Sequence, residues 1–400
     1  MNYEETLNYI HSIPKFRRPL GNENLARLLF LMGDVQKNLR FVHIAGTNGK
    51  GSVAAMTAEI LRRSGYRTGL FTSPFIEVFN ERIRVNGENI PDDALIEYTG
   101  RVKNIMEKNG AFVSEFAFVT AVAFLYFYEA KCDVVVLEVG MGGKLDATNV
   151  IDKSEVSVIM KIALDHTQYL GKTIGEITRE KCGIIKKGGT VVAYPNEKDV
   201  MDIIRECTEK NDSALFVADA KDAEKYELSL KGGYQKYNAA VVLKTVGVLR
   251  QKGFDIPETA VTEGLKNTKW PVRFEWVTDS IVIDGAHNLD GIIALKQSLL
   301  TLKKPVTLVM AMMEDKAYEE CIKEIAPVAA RFIATEIDMP RCLKAKKTAQ
   351  IAGSTEIIPD LRQAVKAAVA GCDGVVCVCG SLYLAGEARK IARQNIDTTL

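Results

Sequence analysis

The sequence lacks a large net charge of either sign, a long apolar run and the two neighbouring cysteine or histidine pairs that a metal site of that type requires. Its 52 basic and 51 acidic side chains leave a net charge of +1, so electrostatics give no reason to expect nucleic acid or a membrane as the main partner. No apolar run is long enough to cross a bilayer, and the N-terminal stretch MNYEETLNYIHSIPKF has early acids and no signal-peptide core. We therefore expect a cytoplasmic protein.

The eight cysteines are scattered. Cys377 and Cys379 form a CxC in a strand-like run, where both would point to the same side. A metal site would need a second cysteine or histidine pair nearby, and the sequence has none. We interpret the two as buried thiols, which suits a reducing compartment.

The 400 residues are 47% hydrophobic and 26% charged, which is typical of a globular protein of two or three domains. Trp270-Pro271 interrupts the alternation of helices and strands, so we expect a domain boundary near 268–272. The predicted domains are residues 1–269 and 270–400, and the second is large enough for its own core.

Helix and strand patterns alternate through both domains. This alternation predicts a doubly wound, mostly parallel α/β domain followed by a smaller Rossmann-like α/β domain. Residues 1–40 are predicted to be mostly helical, and 75–90 to be a loop. The predicted strands are 41–45, 68–72, 133–138, 155–162, 280–284, 306–311, 332–335 and 374–378; the predicted helices include 53–63, 91–109, 114–130, 237–252 and 257–266.

The stretch FVHIAGTNGKGS, residues 41–52, carries the strongest functional signal. A short apolar strand enters a glycine-rich turn, and a helix follows; this arrangement presents a helix N-terminus to a phosphate. Lys50 could reach the outer phosphates, and the Ser52 hydroxyl could bind Mg²⁺. The loop is not a standard Walker A, because Ile44 stands where a glycine is needed and Gly51 separates Lys50 from Ser52. The alternative is an ordinary strand-to-helix turn.

The motif GTNGKGS resembles the nucleotide loop of the Mur ligase superfamily, and its GKGS form is similar to the folylpolyglutamate synthase and dihydrofolate synthase branch. Further motifs support the same resemblance in chain order: EVGMGGKLDATN, DHTQYLGKTIGEITREKCGIIKKG, WPVRFE and DGAHN. The resemblance spans about residues 20–390. It implies a Mur-ligase-like fold in which residues 1–269 bind ATP and pteroate, and residues 270–400 close over ATP and bind glutamate.

The resemblance also implies one or two Mg²⁺ ions. Glu138 ends a buried strand in the sheet that carries the phosphate loop, which suits a metal ligand. By resemblance Ser52, Ser73 and Glu138 bind metal, while His166 and a Lys181 carrying a carbamate derived from CO₂ hold a second ion. Without the resemblance, other interpretations of these residues are open. They are a solvent-facing acid at Glu138, a Ser-Pro turn at Ser73, a structural histidine at His166 and a solvated lysine at Lys181.

Other positions match the family's nucleotide and substrate motifs. Residues 114–117 (SEFA) resemble the TEFE stretch of the family's pteroate site, in which Ala117 replaces the usual glutamate. This replacement is expected to affect pterin binding. By the same resemblance, Cys182 replaces a usual alanine. Arg82 and Arg84 lie in a segment similar to a mobile substrate loop and could meet substrate carboxylates, although a charged loop or hairpin is equally compatible. The resemblance assigns ATP binding to Thr47, Asn48, Gly49, Lys50, Gly51, Ser52, Asn238, Arg273, Asp284 and His287, and pteroate binding to Ser114, Glu115, Phe116, Ala117, Leu145, Asp146 and Ala147.

The implied reaction is the ATP-dependent addition of L-glutamate to a folate, and also to dihydropteroate, through an acyl phosphate. Lys50, Glu138, His166 and Lys181 would be the catalytic residues, and the family resemblance favours a monomer. The alternatives are a Mur-type ligase acting on another carboxylate, a glutamate ligase acting on a different pterin or cofactor, and a non-enzymatic nucleotide-binding module. A module would need the loop but not His166 or Lys181.

Overall fold

Two β-sheets, each in its own unit of the chain, carry the fold of the computed structural model, which describes residues 1–15 and 21–397. The first unit comprises the described parts of Met1–Ala163, Thr167–Glu227 and Lys236–Thr268. The second contains Leu164–His166, Leu228–Gln235 and the described chain from Lys269 onward. Residues 16–20, part of the helical prediction for 1–40, lie outside the described residues.

The first sheet runs in the order β4-β3-β2-β5-β1-β6-β7-β8 within the described chain. Its strands are parallel except β3 and β4, which form an antiparallel extension beside β2. The strands are β1 (Phe41–Ala45), β2 (Thr68–Phe71), β3 (Ile83–Val85), β4 (Glu88–Asn89), β5 (Val134–Glu138), β6 (Val156–Ile159), β7 (Thr190–Ala193) and β8 (Ala214–Val217). Every residue of β1 and β5 is buried, as expected where helices cover both faces of a parallel sheet.

Helices cover this sheet. In α5 the apolar run FAFVTAVAFLYF buries ten side chains, and Phe118 and Phe124 join Phe41 and Phe71 of the sheet in one core cluster. The helices are α1 (Tyr3–Ser12), α2 (Glu23–Leu31), α3 (Lys50–Arg63), α4 (Asp92–Lys108), α5 (Glu115–Glu129), α6 (Thr167–Leu170), α7 (Ile174–Cys182), α8 (Lys198–Lys210), α9 (Gln235–Gln251) and α10 (Glu258–Asn267), with 3-10 turns at Val35–Asn38, Phe79–Arg82, Ala147–Val150 and Ala220–Ala223.

The second unit has a smaller sheet in the order β12-β11-β13-β10-β9, parallel except for β9. Its core includes Leu308, Ile322 and both thiols of the CxC, so the prediction that Cys377 and Cys379 are buried is confirmed. The elements are β9 (Glu275–Trp276), β10 (Ile281–Ile283), β11 (Val306–Met310), β12 (Arg331–Ala334), β13 (Val375–Cys379), α11 (Leu289–Leu300), α12 (Tyr318–Ile325), α13 (Ala345–Ala352), α14 (Leu361–Ala370) and α15 (Leu382–Asp397), with a 3-10 turn at Ala326–Val328.

The predicted fold class is confirmed: a mixed α/β chain with a mostly parallel first sheet and a second, smaller one. The prediction of a loop over 75–90 is wrong in its second half. There Ile83 and Val85 are buried and pair β3 with β2, which turns the segment into a hairpin. Among the described helices, none combines the length and apolar character that a membrane span requires.

Strand register brings several predicted site residues to one edge of the first sheet. Ile44 of β1 is paired with Glu138 of β5, and Ala45 with Ile159 of β6. Phe71 of β2 is paired with Leu137, so Ser73 also follows a strand that ends at this edge. Ligands of open α/β sheets bind outside these carboxyl ends, which makes this edge the candidate site.

The packing of α10 on α3 depends on a glycine. A Cβ at Gly264 would lie 2.4 Å from Cγ1 of Ile60 and 3.1 Å from its Cα. We expect G264A to lower the free energy of unfolding by about 1–3 kcal/mol, because the helices must separate. Urea unfolding followed by circular dichroism measures this.

The matched control is Gly247 of α9, where a Cβ would meet nothing within 4 Å. G247A should leave stability unchanged or raise it by up to about 1 kcal/mol, since alanine is the better helix former. Equal losses in both variants would contradict the close packing of α10 on α3.

Candidate functional site

The turn between β1 and α3 is held in a preformed shape. The Thr47 and Asn48 amides donate to the Lys161 carbonyl at 2.8 and 3.3 Å. Gly49 caps α3 with φ +87°, and a Cβ there would lie 2.6 Å from Oδ1 of Asn238. Only glycine suits this left-handed, crowded position. The predicted nucleotide residues Gly49 and Asn238 are thus neighbours in the first unit.

The start of α3 has the geometry that suits an anion. Its first intrahelical acceptor is the Gly49 carbonyl, which receives the Val53 amide at 3.0 Å. The amides of Lys50, Gly51 and Ser52 precede it, at the positive end of the helix dipole. These residues fit a phosphate group, as the sequence predicts.

Two lysines converge on one carbonyl oxygen of this turn. Nζ of Lys50 donates to Gly46 O at 3.1 Å and to Thr47 O at 3.2 Å. Nζ of Lys181, from α7, donates to the same Gly46 O at 2.9 Å. Lys181 is only 4% exposed, so the alternative of a solvated lysine is wrong. Two amines beside a helix N-terminus make this a cationic centre.

Glu138 ends β5 and is 4% exposed, so the alternative of a solvent-facing acid is wrong. Its Oε2 accepts the Ser73 amide at 3.1 Å, which places the Ser73 residue next to the carboxylate. Ser52 is buried in the first turn of α3. Carboxylate and hydroxyl oxygens are ligands that suit Mg²⁺, so these residues fit the ion that the resemblance implies.

Within residues 1–15 and 21–397, three or more histidine, cysteine, aspartate or glutamate side chains nowhere gather into a metal-binding group. His166 belongs to the second unit, with φ 50° and a side chain 42% exposed. Its metal role, and the carbamate on Lys181, stay predictions.

Asp146 organises the loop after β5. Its carboxylate accepts the Met141 amide at 2.9 Å and the Thr148 amide at 3.0 Å. Burial raises the pKa of Asp146, and these hydrogen bonds oppose the increase. Thr148 in turn meets buried His43 at 2.8 Å, and burial lowers the His43 pKa to about 3. Asp146 and Ala147 are buried, whereas neighbouring Leu145 is 52% exposed and available for a ligand.

The predicted pteroate residues of α5 lie beside an aromatic group. Glu115 pairs with His11 of α1 at 2.9 Å, and the His11 ring meets Phe79 edge-on. Arg82 lies 5.4 Å from the Phe79 ring. Ser114 precedes α5, Phe116 is partly buried, and Ala117 is buried. Arg84 is in β3, where burial lowers its pKa. The substrate roles of these residues stay predictions.

In the second unit, buried Asp284 follows β10 and accepts three hydrogen bonds. The donors are the Ala286 amide at 2.8 Å, the Phe274 amide at 2.8 Å and the Tyr234 hydroxyl at 3.0 Å. Burial raises the pKa of Asp284, while neighbouring Arg273 opposes the increase. The sequence analysis missed Tyr234, which lies about fifty residues away along the chain.

Asp165 is the centre of a second cluster in this unit, and the sequence analysis missed it too. Its carboxylate accepts hydrogen bonds from Lys316 Nζ at 2.6 Å and from Asn288 Nδ2 at 3.2 Å. The same carboxylate lies 3.8 Å from Nε2 of His287. Burial opposes its charge, but Lys316, His166 and His287 hold the Asp165 pKa well below its usual range. Burial and Lys316 lower the His287 pKa to about 4. The sequence signal that could have identified Asp165 is its position as an acid directly before His166.

The chain is similar to known proteins over nearly its whole length. The family model of the Mur ligase middle domain matches residues 44–247, and that of the Mur ligase glutamate ligase domain matches 272–382. The folylpolyglutamate synthase of Lacticaseibacillus casei is 35% identical, covering 98% of both chains. The dihydrofolate synthase/folylpolyglutamate synthase of Bacillus subtilis is 32% identical, covering 97% of this chain and 98% of the relative.

Solved structures match over the same length. Escherichia coli FolC in complex with DHPP and ADP has a TM-score of 0.89 at 27% identity, covering 100% of this chain and 98% of the other. The structure described as an FPGS-AMPPCP complex has a TM-score of 0.86 at 33% identity, covering 98% and 99%. The chain therefore belongs to the Mur ligase family and, within it, to the folylpolyglutamate synthase and dihydrofolate synthase group.

Proposed function

We propose that this protein is an ATP-dependent ligase that joins L-glutamate to the carboxylate of a folate, and also to that of dihydropteroate. The observation that carries the proposal is the convergence of Lys50 and Lys181 on Gly46 O, beside the N-terminus of α3. Full-length relatives named folylpolyglutamate synthase, and relatives solved with ADP or AMPPCP, support the same activity.

The chemistry explains why such a site is needed. A carboxylate is a poor electrophile, so the terminal phosphoryl group of ATP is transferred to its oxygen, giving an acyl phosphate and ADP. The amine of glutamate then attacks the acyl carbon, the C–O bond breaks and phosphate leaves. Lys50, the first amides of α3 and Arg273 stabilise the charge on the transferring phosphoryl group. Both bond changes occur between substrates, so the enzyme supplies no covalent nucleophile.

The metal part of the proposal concerns the strand ends. Ser52, Ser73 and Glu138 would hold Mg²⁺, and His166 with a carbamylated Lys181 would hold a second ion. When bound, Mg²⁺ neutralises phosphate charge. The carbamate forms when the Lys181 ammonium group loses one proton and its neutral nitrogen then adds to CO₂ with release of a second proton. This converts one of two neighbouring cations into an anion, which removes their mutual repulsion.

The remaining site residues complete the proposal. Thr47, Asn48, Gly49, Asn238, Asp284 and His287 contact ATP in addition to the residues above. The pteroate group meets Ser114–Ala117 and Leu145–Ala147, and Arg82 and Arg84 meet substrate carboxylates. The second unit binds glutamate. We also propose a cytoplasmic monomer without nucleic-acid or membrane partners, as the balanced charge and the resemblance imply.

The direct test is ADP release by the purified protein with Mg²⁺-ATP and L-glutamate. Tetrahydrofolate and dihydropteroate are added separately. We expect turnover with both substrates. Turnover with tetrahydrofolate alone would contradict the dihydropteroate activity and would point to Ala117 in the pterin site. If neither substrate supports turnover in a preparation that binds ATP, the folate assignment is wrong.

Loss of the Lys50 amine should slow phosphoryl transfer. We expect K50A to lower kcat by about 100-fold or more, because a charge that stabilises the transition state is removed. The thermal unfolding temperature should change little. The control is K37A, since Lys37 is exposed and forms an ion pair with nearby Asp34 at 2.8 Å. An active K50A variant would contradict the role of this lysine.

The carbamate is tested at Lys181. Arginine can still donate to Gly46 O but forms no stable carbamate, so we expect K181R to lose activity nearly as fully as K181A. With ¹³C-labelled bicarbonate, a carbamate signal should appear by NMR in the parent protein and be absent in K181R.

The control is Lys186, a half-buried lysine that donates to Ile151 O at 2.6 Å and has no assigned chemical role. K186R should keep both the activity and the carbamate signal. A fully active K181R variant, or a signal that K181R retains, would rule out the modification.

A further inference from the structure

Two cysteines of the first unit lie where α7 packs against α8. Cys182 is the last residue of α7 and is 3% exposed, while Cys207 lies in α8 and is partly exposed. Both side chains belong to one apolar cluster with residues of the sheet, and the two thiols interact with each other. Cys207 is therefore the more accessible residue of the pair, and Cys182 is the buried one.

The other cysteines do not combine these two properties. Cys377 and Cys379 also contact each other, but both are completely buried in the core of the second unit. Cys132, Cys321 and Cys342 are buried, and Cys372 is partly exposed. Within the described chain, the pair formed by Cys182 and Cys207 is the one that joins thiol contact with access from solvent.

The surroundings of Cys207 favour its reactive form. The contact between the two thiols lowers the pKa of Cys207 and raises the pKa of buried Cys182. For Cys207, burial opposes this lowering, while Arg179 and Lys210 favour the thiolate and Glu206 disfavours it. Arg179 is itself paired with Glu206 at 2.9 Å. A thiolate is the nucleophile in thiol oxidation, and a sensor cysteine is an exposed one with a second thiol beside it.

We propose that Cys182 and Cys207 form a redox modification site, in which a hydroperoxide drives a reversible disulfide that lowers enzyme turnover. The Cys207 sulfur attacks the peroxide, the O–O bond breaks, and a sulfenic acid and one water form with hydrogen peroxide. The Cys182 sulfur then attacks the Cys207 sulfur, the S–O bond breaks and a second water leaves. The two thiols lose two electrons and two protons, and the peroxide is reduced.

The contacts of α7 explain the effect on turnover, a step that rests on the proposed function. Cys182 directly follows Lys181, whose amine holds Gly46 O. The neighbouring carbonyls hold the loop after β5: Glu180 O accepts the Lys144 amide at 2.9 Å, and Gly183 O accepts Asn149 Nδ2 at 3.0 Å. A disulfide that draws the end of α7 toward α8 moves these contacts.

C182A removes the second thiol of the proposed site. It is the natural matched variant, because Cys182 has no assigned role in catalysis or binding.

The test uses the full-length, fully reduced protein treated with hydrogen peroxide. Remaining thiols are then blocked under denaturing conditions, and peptides are mapped by mass spectrometry. We expect a peptide pair joined through Cys182 and Cys207 that dithiothreitol separates. In C182A the cross-link should be absent and a sulfenic acid at Cys207 should be trapped by dimedone. A C372A control should form the same cross-link as the parent.

ADP release measured on the same samples tests the effect on turnover. Oxidised parent protein should turn over several-fold more slowly and recover with dithiothreitol, whereas C182A should resist peroxide. Cross-links through other cysteines, or irreversible oxidation of Cys207 without a cross-link, would overturn the modification site. A mapped disulfide with unchanged turnover would overturn the regulation. Because the mapping needs no activity, it still tests the site if the proposed ligase activity fails.

Discussion

The carbonyl oxygen of Gly46 accepts hydrogen bonds from two lysines, and much of the candidate site depends on this contact. Lys50 reaches it from the first turn of α3, and Lys181 reaches it from α7, more than one hundred residues later. Two amines on one oxygen, at the positive end of a helix, repel each other. An anion relieves that repulsion, whether it is a bound phosphate or a carbamate on one of the amines.

The fold prepares this contact before any ligand arrives. The parallel order β2-β5-β1-β6 places the turn after β1 between the ends of β5 and β6. Lys161, beyond β6, holds the turn through its carbonyl, and Glu138, at the end of β5, holds the segment that follows β2. A rigid, preformed site costs little reorganisation when charge develops on a transferring phosphoryl group.

Local features of the site could be predicted from the sequence. The strand, glycine turn and helix of residues 41–63 follow from the local order of apolar residues and glycines. The metal role of Glu138, in contrast, is implied by the family resemblance of EVGMGGKLDATN, because a strand-ending acid alone is equally a solvent-facing residue. The contacts missed are those between distant segments: Tyr234 with Asp284, Asp165 with Lys316, and Cys182 with Cys207. No periodicity encodes such pairs, since tertiary packing alone brings them together.

Lys181 and the 75–90 segment show the same limit. The charged sequence REKCGIIKKG is compatible with a solvated lysine, and only the docking of α7 buries the amine. The hairpin of β3 and β4 depends on pairing with β2, which a pattern of mixed polar and apolar residues does not reveal. Burial decides the environment of Lys181, and strand pairing decides the structure of the 75–90 segment. Burial and pairing are properties of the folded chain.

The central claim is that ATP activates the substrate carboxylate as an acyl phosphate. Ligation of glutamate to a folate labelled with ¹⁸O in its reacting carboxylate tests this directly, with the released phosphate analysed by ³¹P NMR. Transfer of one carboxylate oxygen to phosphate is the predicted result, because the C–O bond of the acyl phosphate breaks when the amine attacks. Unlabelled phosphate released during confirmed amide formation would contradict the account.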